Sequence, residues 1–170
     1  MSRLSIPAVV DAPAASQPLL AVVHKKLGVV PNLMKLLGQS PAALEGYLSL
    51  SGALDKGVLN AKLRETLALA VAEFNGCDYC LAAHSYIGKN LVKLTDDEIA
   101  QARDGRAADA RNDAALRFAQ RVAAERGRVL DADIAALRAA GFSDAETVEI
   151  VLHVALNVLT NYVNNVAHTD

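Results

Sequence analysis

The chain holds two cysteines, Cys77 and Cys80, and His84 follows the second by four residues. On a helix, a spacing of three puts both sulfurs on one side of the first turn, close enough to join as a disulfide without unwinding it. Backbone N–H groups at a helix start, with the helix dipole, favour a thiolate over a thiol. The thiolate is the form that attacks a peroxide oxygen or a disulfide sulfur. These residue types at this spacing describe a dithiol redox centre with a base beside it.

The histidine separates the roles of the two sulfurs. His84 is a neighbour of Cys80 on the adjacent turn, whereas Cys77 is about 10.5 Å away along the axis at ~1.5 Å per residue. Peroxide reduction needs proton transfer as well as a thiolate, so Cys80 is expected to attack and Cys77 to resolve the product. The helix dipole argues the other way, because Cys77 lies nearer the helix start. A cysteine in an alanine-rich helix is usually a small buried hydrophobe, but these two are the chain's only cysteines and stand at redox spacing. Zinc would need a fourth ligand, and none of His24, His153 and His168 has metal-ligand spacing. No metal or other cofactor is expected. A thioredoxin-type domain would need βαβ units, which the pattern lacks.

The elements that must position this centre read as helices. Of 170 residues, 52% are hydrophobic while Phe, Tyr and Trp are scarce, so Ala, Leu and Val carry the apolarity, a composition that suits packed helices more than a sheet. The length fits one domain. A net charge of −2 argues against an electrostatic nucleic-acid binder. Arg103, Arg106, Arg111, Arg117, Arg121, Arg126 and Arg128 alternate with acids and read as a solvated helix face. Residues 1–16 lack the apolar core of a secretory signal. The most apolar run, 148–163, is broken by Glu149, His153, Asn157 and Asn161, so no membrane span is expected. The chain reads as soluble and cytoplasmic, a setting where a close cysteine pair is catalytic or metal-binding more often than structural.

Three of the five prolines fall in residues 1–18, read as an extended arm ahead of a single domain over 19–170. Helices are expected at 19–27, ended by Gly28, and at 41–54, behind Ser40. Asn60 is placed to cap the next, whose Leu63, Leu67, Ala70, Val71 and Phe74 repeat at helical spacing. Asn75-Gly76 breaks it, and Cys77 opens a helix to Ile87, closed by Gly88. Thr95 with Glu98, and Ser143 with Glu146, form capping boxes. Further helices are expected at 109–126, at 132–140 capped by Asp131, and at 144–166. The fold class is all-α with about seven to eight helices. On the last helix His153, Asn157, Asn161 and Asn164 or Asn165 make a polar stripe, extended by His168. Amides there fit hydrogen bonds across a helix–helix or subunit contact, as in a homo-oligomer.

The run Leu63-Arg64-Glu65-Thr66-Leu67-Ala68-Leu69-Ala70, followed by Asn75-Gly76-Cys77-Asp78-Tyr79-Cys80 and Ala83-His84-Ser85, resembles the core of the alkyl hydroperoxidase D / carboxymuconolactone decarboxylase superfamily. The likeness covers residues 63–88. It implies an all-α fold, trimers or hexamers, and a dithiol near a subunit interface. It also implies a relay in which a glutamate acts through His84 on Cys80. By spacing that glutamate is Glu65, with Glu73 as rival, four residues before Cys77 but across the Asn75-Gly76 break. Tyr79 is expected to shape the pocket. The decarboxylase branch lacks the redox pair, so the resemblance points to the peroxidase side: a peroxide or organic hydroperoxide as substrate, and an external thiol reductant, lipoyl-bearing in the family. Two alternatives remain, a decarboxylase- or isomerase-like enzyme using His84 and Glu65 as acid and base, and a redox-sensing oligomer without turnover.

Overall fold

Helices here start where one side-chain oxygen captures a backbone N–H three residues on. Asn60 accepts from Leu63 at 2.9 Å, Thr95 from Glu98 at 3.1 Å and Asp109 from Asn112 at 2.8 Å, each supplying a donor the first turn leaves unpaired. Glu98 and Glu146 return the bond to Thr95 N–H and Ser143 N–H, at 2.8 and 2.9 Å, completing both expected capping boxes. The computed structural model describes residues 2–170, and its regular structure is helical throughout. Nine α-helices form among these residues: α1 (Gln17–Leu27), α2 (Asn32–Leu37), α3 (Pro41–Leu54), α4 (Ala61–Phe74), α5 (Asp78–Ile87), α6 (Asp96–Arg103), α7 (Ala110–Ala124), α8 (Asp131–Ala139) and α9 (Asp144–Ala167). The all-α class holds.

The chain divides into two compact units. The first reaches to Ala53 and includes Val163–Asp170, and the second is Leu54–Tyr162. In the first, Leu20, Val23, Leu33, Met34, Leu36, Leu37 and Leu44 are buried. The residues read as an arm hold a 3-10 turn at Val9–Asp11. Arg3 N–H donates to Ala167 O at 2.6 Å, and Gln39 Nε2 to Ser5 O at 2.8 Å.

In the second unit α4 is central, packing on α5, α6 and α7. Its Leu63, Leu67, Ala70 and Val71 share one apolar cluster with Cys77, Cys80, Leu116, Phe118, Ile150 and Val154. Two ties set the course of α9 beside it. The Glu149 carboxylate accepts the N–H groups of Val58 at 2.8 Å and Leu59 at 3.2 Å, just ahead of α4. Asn75 Nδ2, just past α4, donates to Asn161 Oδ1 at 2.9 Å. The two ends match in order, so α9 runs parallel to α4.

Several boundaries differ from the sequence reading. α1 begins at Gln17, with Pro18 in its first turn, where a missing N–H costs nothing. α7 stops at Ala124, because Arg126 (φ 55°) and Gly127 (φ 81°) turn the chain. α8 starts at Asp131 itself, and the Asp133 carboxylate takes Leu130 N–H at 2.8 Å. Gly88 does not close α5. Its backbone stays helical (φ −53°, ψ −51°) into a π turn over Gly88–Val92, which Lys93 ends at φ 64°. What Gly88 provides is room: a Cβ there would lie 3.0 Å from Leu94 Cδ1, and Leu94 is buried. His168 (φ 50°) lies beyond α9 and does not extend its stripe. Arg103, Arg106, Arg111, Arg117 and Arg121 pair with acids, as expected of a solvated face. Arg106 and Arg117 share Asp113 at 3.0 and 2.6 Å, and the hydrogen bond from Arg117 is the main reason its carboxyl is held down to about 2.

Asn60→Ala should lower stability by about 1 kcal/mol, the usual worth of a side-chain cap, and Asn60→Asp should restore most of it. Urea unfolding followed by far-UV circular dichroism would measure both; equal stability of all three proteins would contradict the capping role.

Candidate active site

Cys77 is the N-cap of α5, with extended backbone (φ −100°, ψ 91°), and its Sγ accepts the N–H of Cys80 at 3.3 Å. The turn that delivers it is the expected break. Gly76 adopts φ 60°, a left-handed conformation that favours glycine, and Cys77 N–H returns to Ala72 O at 3.0 Å. Cys77 and Cys80 are joined as a disulfide with Cα atoms 5.3 Å apart, inside the usual range. They are only 1% and 3% exposed, so the dithiol sits within the apolar cluster. Tyr79 packs against that cluster.

One turn beyond Cys80, His84 Nδ1 lies 2.9 Å from Glu65 Oε2, and both side chains are partly buried. A carboxylate is an acceptor, so Nδ1 carries the proton and donates, and the other ring nitrogen, Nε2, lies outside this bond. The pair bridges α4 and α5 across the break and ties a carboxylate to the imidazole nearest Cys80 in sequence. Glu73 is engaged elsewhere: its carboxylate receives Arg103 Nε at 2.6 Å in an exposed ion pair. Of the two glutamates weighed from the sequence, the structure brings only Glu65 to His84. Among the described residues, no group of three or more His, Cys, Asp or Glu side chains is arranged to hold a metal.

The polar stripe of α9 lies inside the chain. Asn161 is 0% exposed and His153 6%. Asn157 Nδ2 donates to His153 O at 2.8 Å and Thr160 Oγ1 to Asn157 O at 3.0 Å. Two polar atoms on this face, His153 Nε2 and Asn161 Nδ2, are buried without a hydrogen-bond partner. Burial pushes the His153 imidazole below its ordinary value. The Arg64 charge acts in the same sense, opposed by Glu149, Asp55 and Glu65. His153 carried no functional expectation from sequence beyond the stripe; its signal was a titratable group on the inner face of an apolar helix, one turn after an acid.

The sequence profile of the carboxymuconolactone decarboxylase family matches residues 41–125, half of the chain. The chain belongs to the carboxymuconolactone decarboxylase family. The part that matches the carboxymuconolactone decarboxylase profile contains Glu65, Cys77, Cys80 and His84, whereas His153 and Asn161 lie outside it. The fold is similar to that of the alkylhydroperoxidase AhpD core of an uncharacterized peroxidase-related protein from Ralstonia eutropha JMP134. The two are 28% identical over 99% of this chain and 91% of that one, with a TM-score of 0.88. The debrominase Bmp8 shares the fold at 20% identity, 99% and 90% coverage and a TM-score of 0.77. An uncharacterized protein of Haemophilus influenzae is 46% identical over 48 residues, 28% of this chain, and the match spans 42% of that protein's length.

In this member of the carboxymuconolactone decarboxylase family, the lowered His153 value ties stability to pH with a definite sign. As pH falls below about 6.5, the unfolded chain takes up a proton that the folded one refuses, so stability drops until the folded value is reached. Thermal unfolding from neutral to mildly acid pH should show this loss, and His153→Gln should flatten it. An unchanged slope in the variant would contradict the assignment.

Proposed function

We propose that the chain is a dithiol peroxidase that reduces hydroperoxides through Cys80, Cys77 and the Glu65–His84 pair. The observation that carries the reading is the 2.9 Å bond between Glu65 and His84, one turn beyond the only cysteine pair. In the first step His84 takes the Cys80 proton, and Glu65 stabilises the imidazolium through Nδ1–H. The Cys80 thiolate attacks the terminal peroxide oxygen; the S–O bond forms, the O–O bond breaks, and the alkoxide leaves with the proton from His84 as the alcohol. The Cys77 sulfur then displaces water from the Cys80 sulfenic acid, giving the disulfide. An external dithiol of the dihydrolipoyl class supplies two electrons and two protons to reopen it. A cycle that needs continual re-reduction fits the reducing cytoplasm. Buried sulfurs favour small or slender hydroperoxides, with Tyr79 shaping the approach.

The debrominase of the same fold makes direct measurement necessary, since one scaffold hosts several chemistries. Consumption of an organic hydroperoxide with dihydrolipoamide as reductant is expected. Cys80→Ser should abolish it, and Cys77→Ser should leave a trappable sulfenic acid on Cys80. His84→Ala and Glu65→Gln should slow the attack by about 10²–10⁴-fold, the span typical of lost general acid–base groups, while Glu73→Gln should retain nearly full activity. A sulfenic acid trapped on Cys77 instead would reverse the two roles, and no turnover with any hydroperoxide would sink the reading. Activity that survives loss of both cysteines would point to acid–base chemistry by His84 and Glu65.

The assembly we propose is a homotrimer or homohexamer. Val148, Leu152, Leu159 and Tyr162 are exposed on one outward line of α9, spaced three and four apart or multiples of that, as in helix–helix seams. Light scattering at micromolar concentration should report an oligomer, and Leu152→Glu with Leu159→Glu should shift it toward monomer. A monomeric wild type would refute the assembly.

A further inference from the structure

Glu149 and His153 are one turn apart on α9. The Glu149 carboxylate is fastened to Val58 and Leu59 N–H groups, directly ahead of the Asn60 cap of α4. Because α9 runs parallel to α4, one further turn of about 6 Å carries His153 level with the first turns of α4, where Arg64 and Glu65 stand. The charges that act on His153 agree with this placement: Arg64 and Glu65 from α4, Asp55 from the loop before it, and Glu149 from its own helix.

The partners in this region are already committed, with one gap. Arg64 Nη1 donates to Leu59 O at 2.8 Å, and its guanidinium pairs with Asp55 at 3.8 Å. Glu65 gives Oε2 to His84. Its other oxygen, Oε1, is outside that bond. His153 Nε2 is buried and has no hydrogen-bond partner. Native proteins satisfy such groups, often through a bridging water where the surroundings are polar. A carboxylate accepts at both oxygens, and a neutral imidazole donates from one nitrogen.

We propose that His153 is a positioning residue for Glu65: its Nε2–H is given to Glu65 Oε1 across one water molecule, fixing the carboxylate in the orientation that receives His84 Nδ1–H. The inference rests on the reading that Glu65 acts through His84 on Cys80. It adds α9 to a relay otherwise built from α4 and α5, and it accounts for a histidine on a face of α9 otherwise made of aliphatic residues and amides. No charge moves through His153. It remains neutral, and its effect reaches the thiol only through the order it imposes on Glu65.

The test uses reduced full-length protein and no peroxide. The rate of Cys80 alkylation by iodoacetamide is followed against pH, with the site located by peptide mass spectrometry. His153→Leu should move the midpoint of that profile upward by about one pH unit, the scale of a lost hydrogen bond to a charged group. His153→Gln, which keeps a donor at similar reach, should restore most of the shift, and the shorter His153→Asn should not. If His153→Leu fails to fold, the Gln and Asn pair decides the matter. In a Glu65→Gln background, replacing His153 should move the midpoint no further. A lowered Tm with an unmoved midpoint, or an equal shift in both backgrounds, would overturn the proposal and leave His153 a packing residue. The two readings fail separately. If Glu65→Gln alone leaves the profile unchanged, the relay is wrong; if it moves the profile and His153→Leu does not, only the present inference falls.

Discussion

The contact between Glu65 and His84 is possible only because two helices meet across a break of fixed geometry. α4 carries the acid and α5 carries the base, and neither helix alone could place one beside the other. The Asn60 cap sets where α4 begins, and so which of its faces Glu65 occupies. The left-handed Gly76 then turns the chain within two residues of the last turn. A one-residue change in either feature would rotate a partner by about 100°, given 3.6 residues per turn, and carry the carboxylate out of reach. The remaining packing can be seen as support for this register: α6 and α7 lie on α4, and α9 is pinned at both ends of the same helix by Glu149 and Asn161.

Burial gives the site a second character. The dithiol shares a cluster with Leu67, Leu116 and Phe118, so its sulfurs lie in a medium of low polarity where a local hydrogen bond or dipole acts with little screening. The Glu65–His84 pair, partly exposed, stands at the edge of that medium. Polar groups at an apolar boundary are held to few geometries, because water does not readily replace a lost partner. The arginine-rich surface is the opposite case: its ion pairs are exposed, numerous and energetically modest.

What was legible in the sequence followed from local chemistry. Asn60, Thr95, Ser143 and Gly28 act within four residues of themselves, and each marks the helix end expected of it. So did the spacing of Cys77, Cys80 and His84, which depends on one helix. Glu65 was reachable only through resemblance, with the Asn75-Gly76 break as the one local mark against Glu73; the structure separates them by giving Glu65 to His84 and Glu73 to Arg103, thirty residues away from Glu73 in the chain. Gly88 misled because a glycine after a helix resembles a stop, while its real constraint is the distant Leu94 side chain. Asp131 misled because Asp133 fulfils the capping role from inside the helix. His153 was invisible as anything but stripe, because its significance comes from the parallel course of α9 and α4, a long-range property.

The sulfur of Cys77 serves as the cap of α5, and this couples helix formation to electron count. In the disulfide that sulfur is a weak, neutral acceptor for Cys80 N–H. As a thiolate it would carry a full negative charge at the positive end of the helix, a stronger acceptor in a favourable field. Were Cys77 charged in the reduced protein, the contact that starts α5 would favour the dithiol over the disulfide and so raise the reduction potential of the couple. Seen this way, the helix is a part of the redox group, and any substitution that frays its first turn would make the protein a poorer acceptor of electrons.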